Sequence, residues 1–424
     1  MRLALNKKPF IAQSLALSVA ALMMTTTHAA TKEQQELAQL RAEVAELKAL
    51  MQQQQQVQQQ QAVQIQQVKA QPAPVKAESP LSSFKSKSGA DINLYGFVRG
   101  DANYIIEGQD DDFNKVASSD GQTKDKLRAT AKTTRLGLDF NTNVAGDNKL
   151  GGKVEVDFAG STTDSNGALR IRHAYLTYNN WLFGQTTSNF LSNHAPEMID
   201  FATNVGGGTA ARIPQVRYGF NLAPATKLFI SAEEGDSSGK NIKYSVPNLT
   251  AKLTQGFADG KGSVSARALV ENYKSADDSD TAWGLAAGVN YQVMDPLKIS
   301  ADVSYVQGNS NYLYGSNTAF YVNPVNGNIE QNEAFGVQVG GTYKFNEKLR
   351  STLAYGALFA DDSTDYATSN PTANEEVYQA WINFIYSPVK PLDLGVEYIN
   401  GKRDTFAGNS YKDNRVGLMA KYSF

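Results

Sequence analysis

The carboxy-terminal run Val416-Gly-Leu-Met-Ala-Lys-Tyr-Ser-Phe424 constrains this chain more than any other segment. Val416, Leu418, Ala420, Tyr422 and Phe424 recur at every second position, and Arg415, Gly417, Met419, Lys421 and Ser423 fill the alternate ones. Period two sends alternate side chains to opposite faces of a strand. One face is therefore wholly apolar and ends in an aromatic terminus, while the other carries charge. A soluble edge strand over a core would share the alternation. An exposed aromatic terminus instead suits a strand with lipid on one side and water on the other.

The amino-terminal end agrees. Arg2, Lys7 and Lys8 precede a mostly apolar stretch from Phe10 to Met24, and small residues from Thr25 to Ala30 follow. This order reads as a secretory signal peptide over residues 1–30. Its apolar run is short for a membrane helix. The chain contains no Cys, which excludes a lipoprotein anchor and thiolate-held zinc and is compatible with an oxidising compartment. Beyond the leader no uninterrupted apolar run reaches the length of a helical span. Subtracting the three leader cations from 40 Lys and Arg leaves 37 against 42 acids, a net charge near −5. That balance gives no support for nucleic-acid binding.

Residues 31–70 carry a heptad pattern. Leu37, Leu40, Val44, Leu47 and Met51 alternate between a and d positions, and the register continues through Gln54, Gln58 and Gln61 to Ile65 and Val68. Seven of these ten positions are apolar, which predicts a coiled coil and hence an oligomer. Three strands is the expectation, although heptads alone do not separate two from three. A Gln-rich disordered tract is the competing reading of residues 52–64. Residues 71–90, with Pro72, Pro74 and Pro80 among serines, form a linker.

From 91 to 424 one unit repeats: an alternating segment, a short turn, another alternating segment, a longer polar loop. Ile92, Leu94, Gly96, Val98 and Ala102 oppose Asn93, Arg99 and Asp101, and Leu136, Leu138 and Phe140 oppose Arg135, Asp139 and Asn141. Farther on, Phe335, Val337, Val339 and Tyr343 oppose Gln338, Thr342 and Lys344, and Leu392, Leu394, Val396 and Tyr398 oppose Asp393 and Glu397. Short turns at 145–149, 179–181, 223–226, 258–262, 294–296, 346–347 and 387–391 alternate with eight longer connections. The expected fold is an all-β transmembrane barrel of about 16 antiparallel strands, preceded by the α-helical coiled coil. An even count places both barrel ends on the periplasmic side, beside the stalk. Pro247 and the 235–240 connection leave fourteen or eighteen strands as alternatives, and the register within 227–257 is the least defined.

The connection 188–213 mixes Phe190, Leu191, Met198, Ile199 and Phe201 with His194, Glu197, Asp200 and Arg212, and includes Gly206-Gly-Gly208. An exposed loop has no need of so many apolar residues, so this one is expected to fold back into the barrel as a constriction loop; an external lid or a protomer latch is the alternative. Arg99, Arg135, Arg170, Arg172, Arg217, Arg267, Arg350 and Arg415 have inward parity. Charge at the narrowest section governs which ions pass. A basic ladder of Arg99, Arg135, Arg170, Arg172 and Arg217, opposite the acids of the inserted loop, would orient a molecule with two carboxylates, because guanidinium binds carboxylate through a planar fork. Pairing with lumen acids such as Asp101, Asp139, Glu155, Asp157 and Asp302 is the structural alternative. In this register His173 points outward, where a lone His in lipid would be costly, so a protomer contact through strands 1 to 5 is expected. Tyr312, Tyr314, Phe320 and Tyr321 in 308–331 could shelter the outer mouth and stack on an aromatic ligand, or simply order their own loop.

The barrel opening Leu94-Tyr-Gly-Phe-Val-Arg-Gly-Asp101, the segment Ile171-Arg-His-Ala-Tyr-Leu-Thr-Tyr178 running into Phe183-Gly-Gln185, the coiled coil and the Pro/Ser linker together resemble the DcaP-like outer-membrane porins of Acinetobacter and relatives. The resemblance spans the whole mature chain. It implies a homotrimer, joined through barrel and periplasmic helices, and a channel that prefers small dicarboxylates, including aromatic ones such as phthalate. It also assigns ligand roles to Arg99, Arg135, Arg170, Arg172 and Arg217, with Arg212 added. The aromatic-ended last strand resembles the signal read by the outer-membrane insertion machinery. No cofactor is expected.

Other functions fit less well. A barrel lipase needs His and Ser on one strand face, whereas His173 is followed two residues later by Tyr175, and His194 has no evident nucleophile, so no enzymatic activity is expected. A structural tether would use the stalk, but no peptidoglycan-binding module is evident, and a contact with peptidoglycan stays open. A general porin without preference is the nearest competitor.

Overall fold

The computed structural model describes residues 83–160, 167–209, 211–235, 242–309 and 312–424. The signal peptide, coiled coil and most of the linker expected from sequence lie outside the described residues. Sixteen antiparallel strands close into a barrel. They are β1 (Asp91–Gly108), β2 in two pieces (Thr123–Thr130 and Arg135–Val144), β3 (Asn148–Asp157), β4 (Arg170–Tyr178) and β5 (Trp181–Thr187). Next come β6 (Arg212–Ala223), β7 (Thr226–Glu233), β8 (Asn248–Phe257), β9 (Gly262–Lys274), β10 (Ser279–Met294) and β11 (Leu297–Gln307). The wall ends with β12 (Glu333–Lys344), β13 (Leu349–Ala360), β14 (Asn374–Val389), β15 (Leu392–Thr405) and β16 (Ser410–Ser423). Closure is made by β1 against β16, from Phe97↔Ser423 to Glu107↔Asn414, and the Gly96 N–H donates to the Phe424 carbonyl at 3.1 Å. A closed ladder is what lipid demands, since no unpaired edge can face hydrocarbon.

The parity read from sequence holds on the walls outside β4. Leu94, Val98, Leu136, Leu138, Phe335, Val339, Leu394, Val396, Tyr398, Leu418, Tyr422 and Phe424 are all exposed on the outside. Arg415 and Glu397, on the other face, are fully buried. At the short-turn end, outward aromatics cluster: Trp181 meets Tyr218 at 4.7 Å and Tyr218 meets Phe220 at 4.6 Å, while Tyr343 meets Phe345 at 5.1 Å. Such girdles mark the boundary between acyl chains and headgroups. Pro247 lies just before β8, outside any strand, so the count stays at sixteen.

The wall is uneven. Strands β4 and β5 have 9 and 7 residues, against 18 in β1 and 16 in β10 and β14. Two of the eight connections expected to be long, 275–278 and 406–409, are tight. The break in β2 lies opposite Arg99. There the Thr134 hydroxyl accepts the Arg99 N–H at 3.1 Å, and Thr133 donates to Asp101 at 2.9 Å. Side chains thus satisfy backbone that the ladder leaves open.

Candidate functional site: the inserted loop and the basic wall

The segment between β5 and β6 folds into the lumen, as its apolar content predicts. Phe190, Leu191, Ile199 and Val205 are buried. Gly206 explains part of the Gly-Gly-Gly run. Its φ is +72°, and a Cβ there would fall 2.3 Å from the Ala357 carbonyl and 2.4 Å from the Val337 carbonyl. Only glycine permits that approach at positive φ.

Several expected ligands instead bind this loop. Arg99 is buried: it grips Asp101 at 2.6 Å, donates to the Ile199 carbonyl at 2.5 Å and stacks on Phe201 at 4.2 Å. Arg267 pairs with Asp302 at 2.6 Å and donates to the Phe190 carbonyl at 3.2 Å. His194 is buried against β9, with Nε2 3.2 Å from Ser265 Oγ; burial first, then the Arg267, Lys252 and Lys298 charges, push its pKa down to about 4. Asp200 turns away from the open lumen and accepts the N–H groups of Asn114 and Ala202, each at 2.8 Å. Glu197 pairs with Arg350 of β13 at 2.8 Å.

Glu397 of β15, whose inward parity was legible but whose task was not, is the principal latch. Its carboxylate accepts the Ile199 N–H at 2.9 Å, the Asp200 N–H at 2.8 Å, the Thr203 hydroxyl at 3.3 Å and the Asn383 amide at 3.0 Å. The 308–331 connection orders itself on the same loop. Tyr312 packs edge-on to Phe190 at 5.6 Å, the Tyr314 carbonyl accepts from Gly206 N–H, and Phe320 lies 4.7 Å from Tyr273.

Away from these anchors, β2, β4 and β6 bring Arg135, Arg170, Arg172, Arg212 and Arg217 to one side. Arg170, Arg172 and Arg135 lie close enough to Arg212 to repel it. Arg170 holds Asp157 at 2.7 Å, and Arg172 bridges Glu155 at 2.8 Å and Asp157 at 2.7 Å. Arg135 Nε is 3.4 Å from Glu155 without hydrogen-bond geometry, and its guanidinium lies over Phe97 at 5.0 Å. Arg217 donates to Gln215 at 2.9 Å and to the Thr187 carbonyl. Arg135, Arg170, Arg172 and Arg212 thus lie about the two carboxylates of β3, while Arg217 lies near Glu233 of β7, so among the described residues five guanidiniums outnumber the three carboxylates beside them. A cavity of about 130 Å³ between wall and loop is lined by Phe97, Arg99, Arg135, Glu197, Phe201 and Arg350 among others, joining cations to aromatic faces.

The outward placement expected for His173 is overturned. A β-bulge between Glu155 and Val156 of β3 and the facing β4 residues sets both Arg172 and His173 on the lumen side. His173 Nδ1 lies 2.9 Å from Thr186 Oγ1, and Nε2 is 3.9 Å from Glu155. A bulge adds one residue and inverts parity beyond it, which a strict period of two cannot foresee. The argument for a protomer contact through His173 falls with it.

A family model described as the DcaP outer membrane protein matches residues 23–424. Among solved structures, the outer membrane channel DcaP of Acinetobacter baumannii is 72% identical, covering 81% of this chain and 100% of its own, with a TM-score of 0.78. OmpT of Vibrio cholerae, expressed in the outer membrane, is 15% identical over 81% of this chain and 100% of its own at a TM-score of 0.54. An anion-selective porin from Comamonas acidovorans is 12% identical over 79% and 100% at 0.55. The last two establish likeness of fold alone. No curated protein matches the chain.

Proposed function

The chain belongs to the DcaP outer membrane protein family and is an outer-membrane channel; from that premise we propose that it passes small anionic solutes by diffusion and prefers dicarboxylates, aliphatic or aromatic, held by Arg135, Arg170, Arg172, Arg212 and Arg217. The carrying observation is that, among the described residues, five guanidiniums on one side of the lumen outnumber the neighbouring carboxylates of Glu155, Asp157 and Glu233. A dianion entering that field gains from both ends, and the guanidinium fork adds directional hydrogen bonds. The aromatic faces of Phe97 and Phe201 beside Arg135 and Arg99 would accept an aromatic ring.

Arg99 and Arg267 serve in this reading as supports of the loop, and Glu197 with Arg350 tunes the charge beside Arg135. The protein works as a homotrimer joined through barrel and coiled coil, with residues 31–70 in the periplasm. Planar-bilayer recording tests the central claim: conductance in groups of three, with concentration-dependent block by phthalate, is expected. Steady conductance indifferent to dicarboxylates would leave a general porin. Arg170→Ala with Arg172→Ala should weaken dicarboxylate block by about ten-fold or more, the size expected for lost charge-assisted hydrogen bonds, and leave neutral-sugar flux nearly unchanged. Equal losses for both solutes would reject the ladder.

A further inference from the structure

On the outer wall, β15 and β16 place two lysines side by side. Lys402 and Lys412 are Cα partners in the ladder, and Tyr378 of β14 is the next partner in the same row. Both lysines share the parity of Tyr398, Val396, Leu394, Val416 and Leu418, which face lipid, and both are exposed. Like charges directly opposite one another in a ladder are destabilising unless something lies between them. Lys402 has one partner, Asp404 at 2.7 Å. Lys412 has no ion pair among the described residues.

Their height explains the arrangement. Lys402 is ten residues above Leu392, and Lys412 ten above Tyr422, these lower two being paired at the short-turn end. Ten residues at about 3.3 Å each, tilted by about 40°, rise roughly 25 Å, which is the height of the apolar band. The lysines therefore stand where acyl chains end and headgroups begin, on the long-loop side that faces outward in barrels of this class. Below them the two strands offer a continuous apolar track through Tyr398, Val396, Leu394, Val416 and Leu418. Beside them, Asn400 and Asn414 bond at 2.9 Å and add amide donors and acceptors.

We propose that Lys402 and Lys412 form a binding site for the phosphate of a phosphorylated glycolipid in the outer leaflet, whose acyl chains lie along that track. A phosphate between the two ammonium groups would turn the like-charge repulsion into attraction. The apolar track selects a lipid over a free anion. The site is on the outside of the barrel and does not depend on what passes through the lumen.

Native mass spectrometry of the full-length protein, delipidated and reloaded, tests this. The probes are bis-phosphorylated lipid A, its dephosphorylated form and inorganic phosphate. The intact protein should retain the phosphorylated lipid. Lys402→Gln with Lys412→Gln should lower that retention about thirty-fold, the product of two surface charges, while Lys402→Arg with Lys412→Arg restores it. Heat-modifiable gel mobility and single-channel conductance should be those of the unsubstituted protein in every variant. Equal retention in the Gln variant, or equal retention of the dephosphorylated lipid, would overturn the proposal. So would displacement by millimolar inorganic phosphate, the mark of an adventitious ion only. Protomer cross-linking through Lys412→Cys would show the face covered by a second copy and overturn it as well.

Discussion

His194 shows how one side chain can tie an inserted loop to solvent pH. In the docked loop its imidazole is neutral, because burial and three nearby cations hold the pKa near 4, whereas a released loop would return it to about 6.5. Below the released value, the released form takes up a proton that the docked form refuses. Docking therefore weakens as pH falls from about 6.5 to about 4, by about 2 kcal/mol at pH 5, and is unaffected above 7. Asp200 titrates in the opposite sense, since burial raises its carboxyl to about 6 and favours docking at low pH. The His194 share is isolated by His194→Gln. Comparing pH 7.5 with pH 5, hydrogen exchange of residues 188–209 should accelerate less in this variant than in the unsubstituted protein. An identical acceleration in both would remove His194 from the account.

At the scale of the element, the inserted loop is held by acceptors that the wall supplies to its backbone. Glu397 alone satisfies two buried N–H groups of the loop, at Ile199 and Asp200. Replacing it with Ala leaves both unsatisfied, at about 1–3 kcal/mol each. Glu397→Ala should therefore release the Ile199–Thr203 stretch, raise single-channel conductance and make current traces noisier, as bilayer recording can show. Unchanged conductance would mean that Arg99, with Gln379 of β14 accepting the Val205 N–H at 3.3 Å and Trp381 donating to the Glu197 carbonyl at 3.1 Å, holds the loop without it. The loop's fold-back was legible from its apolar residues, whereas its partners were not. They come from β1, β7 and β9–β15, most of them distant in sequence, and parity says only that they point inward.

For the whole molecule, closure of sixteen strands removes every wall edge, and the ends of β1 and β16 meet at the short-turn rim. Outer-membrane location follows from family and fold together. The helical stalk and the trimer belong to the proposal. Deleting residues 31–70 should leave barrels that conduct with unchanged phthalate block, while their trimers on semi-native gels become less heat-stable. Trimers of undiminished stability would place protomer contacts in the barrel alone.

What the sequence determined by itself is what depends on local alternation: a barrel of about sixteen strands, the lipid-facing parity of Leu94, Leu138, Val339 and Leu418, the seven short turns, and a loop too apolar to stay outside. These follow because period two and turn chemistry are properties of neighbouring residues. What only the tertiary structure decided is which charges remain available. Arg99, Arg267 and Arg170 look equivalent along the chain, yet Asp101 and Asp302 bury the first two in loop anchoring while Arg170 stays half-exposed on the wall. The bulge opposite Glu155 turned His173 inward by the insertion of one residue. Pairing depends on register across strands and on a loop that crosses the lumen, and the energy of a buried charge is set by partners that only closure of the barrel brings within reach.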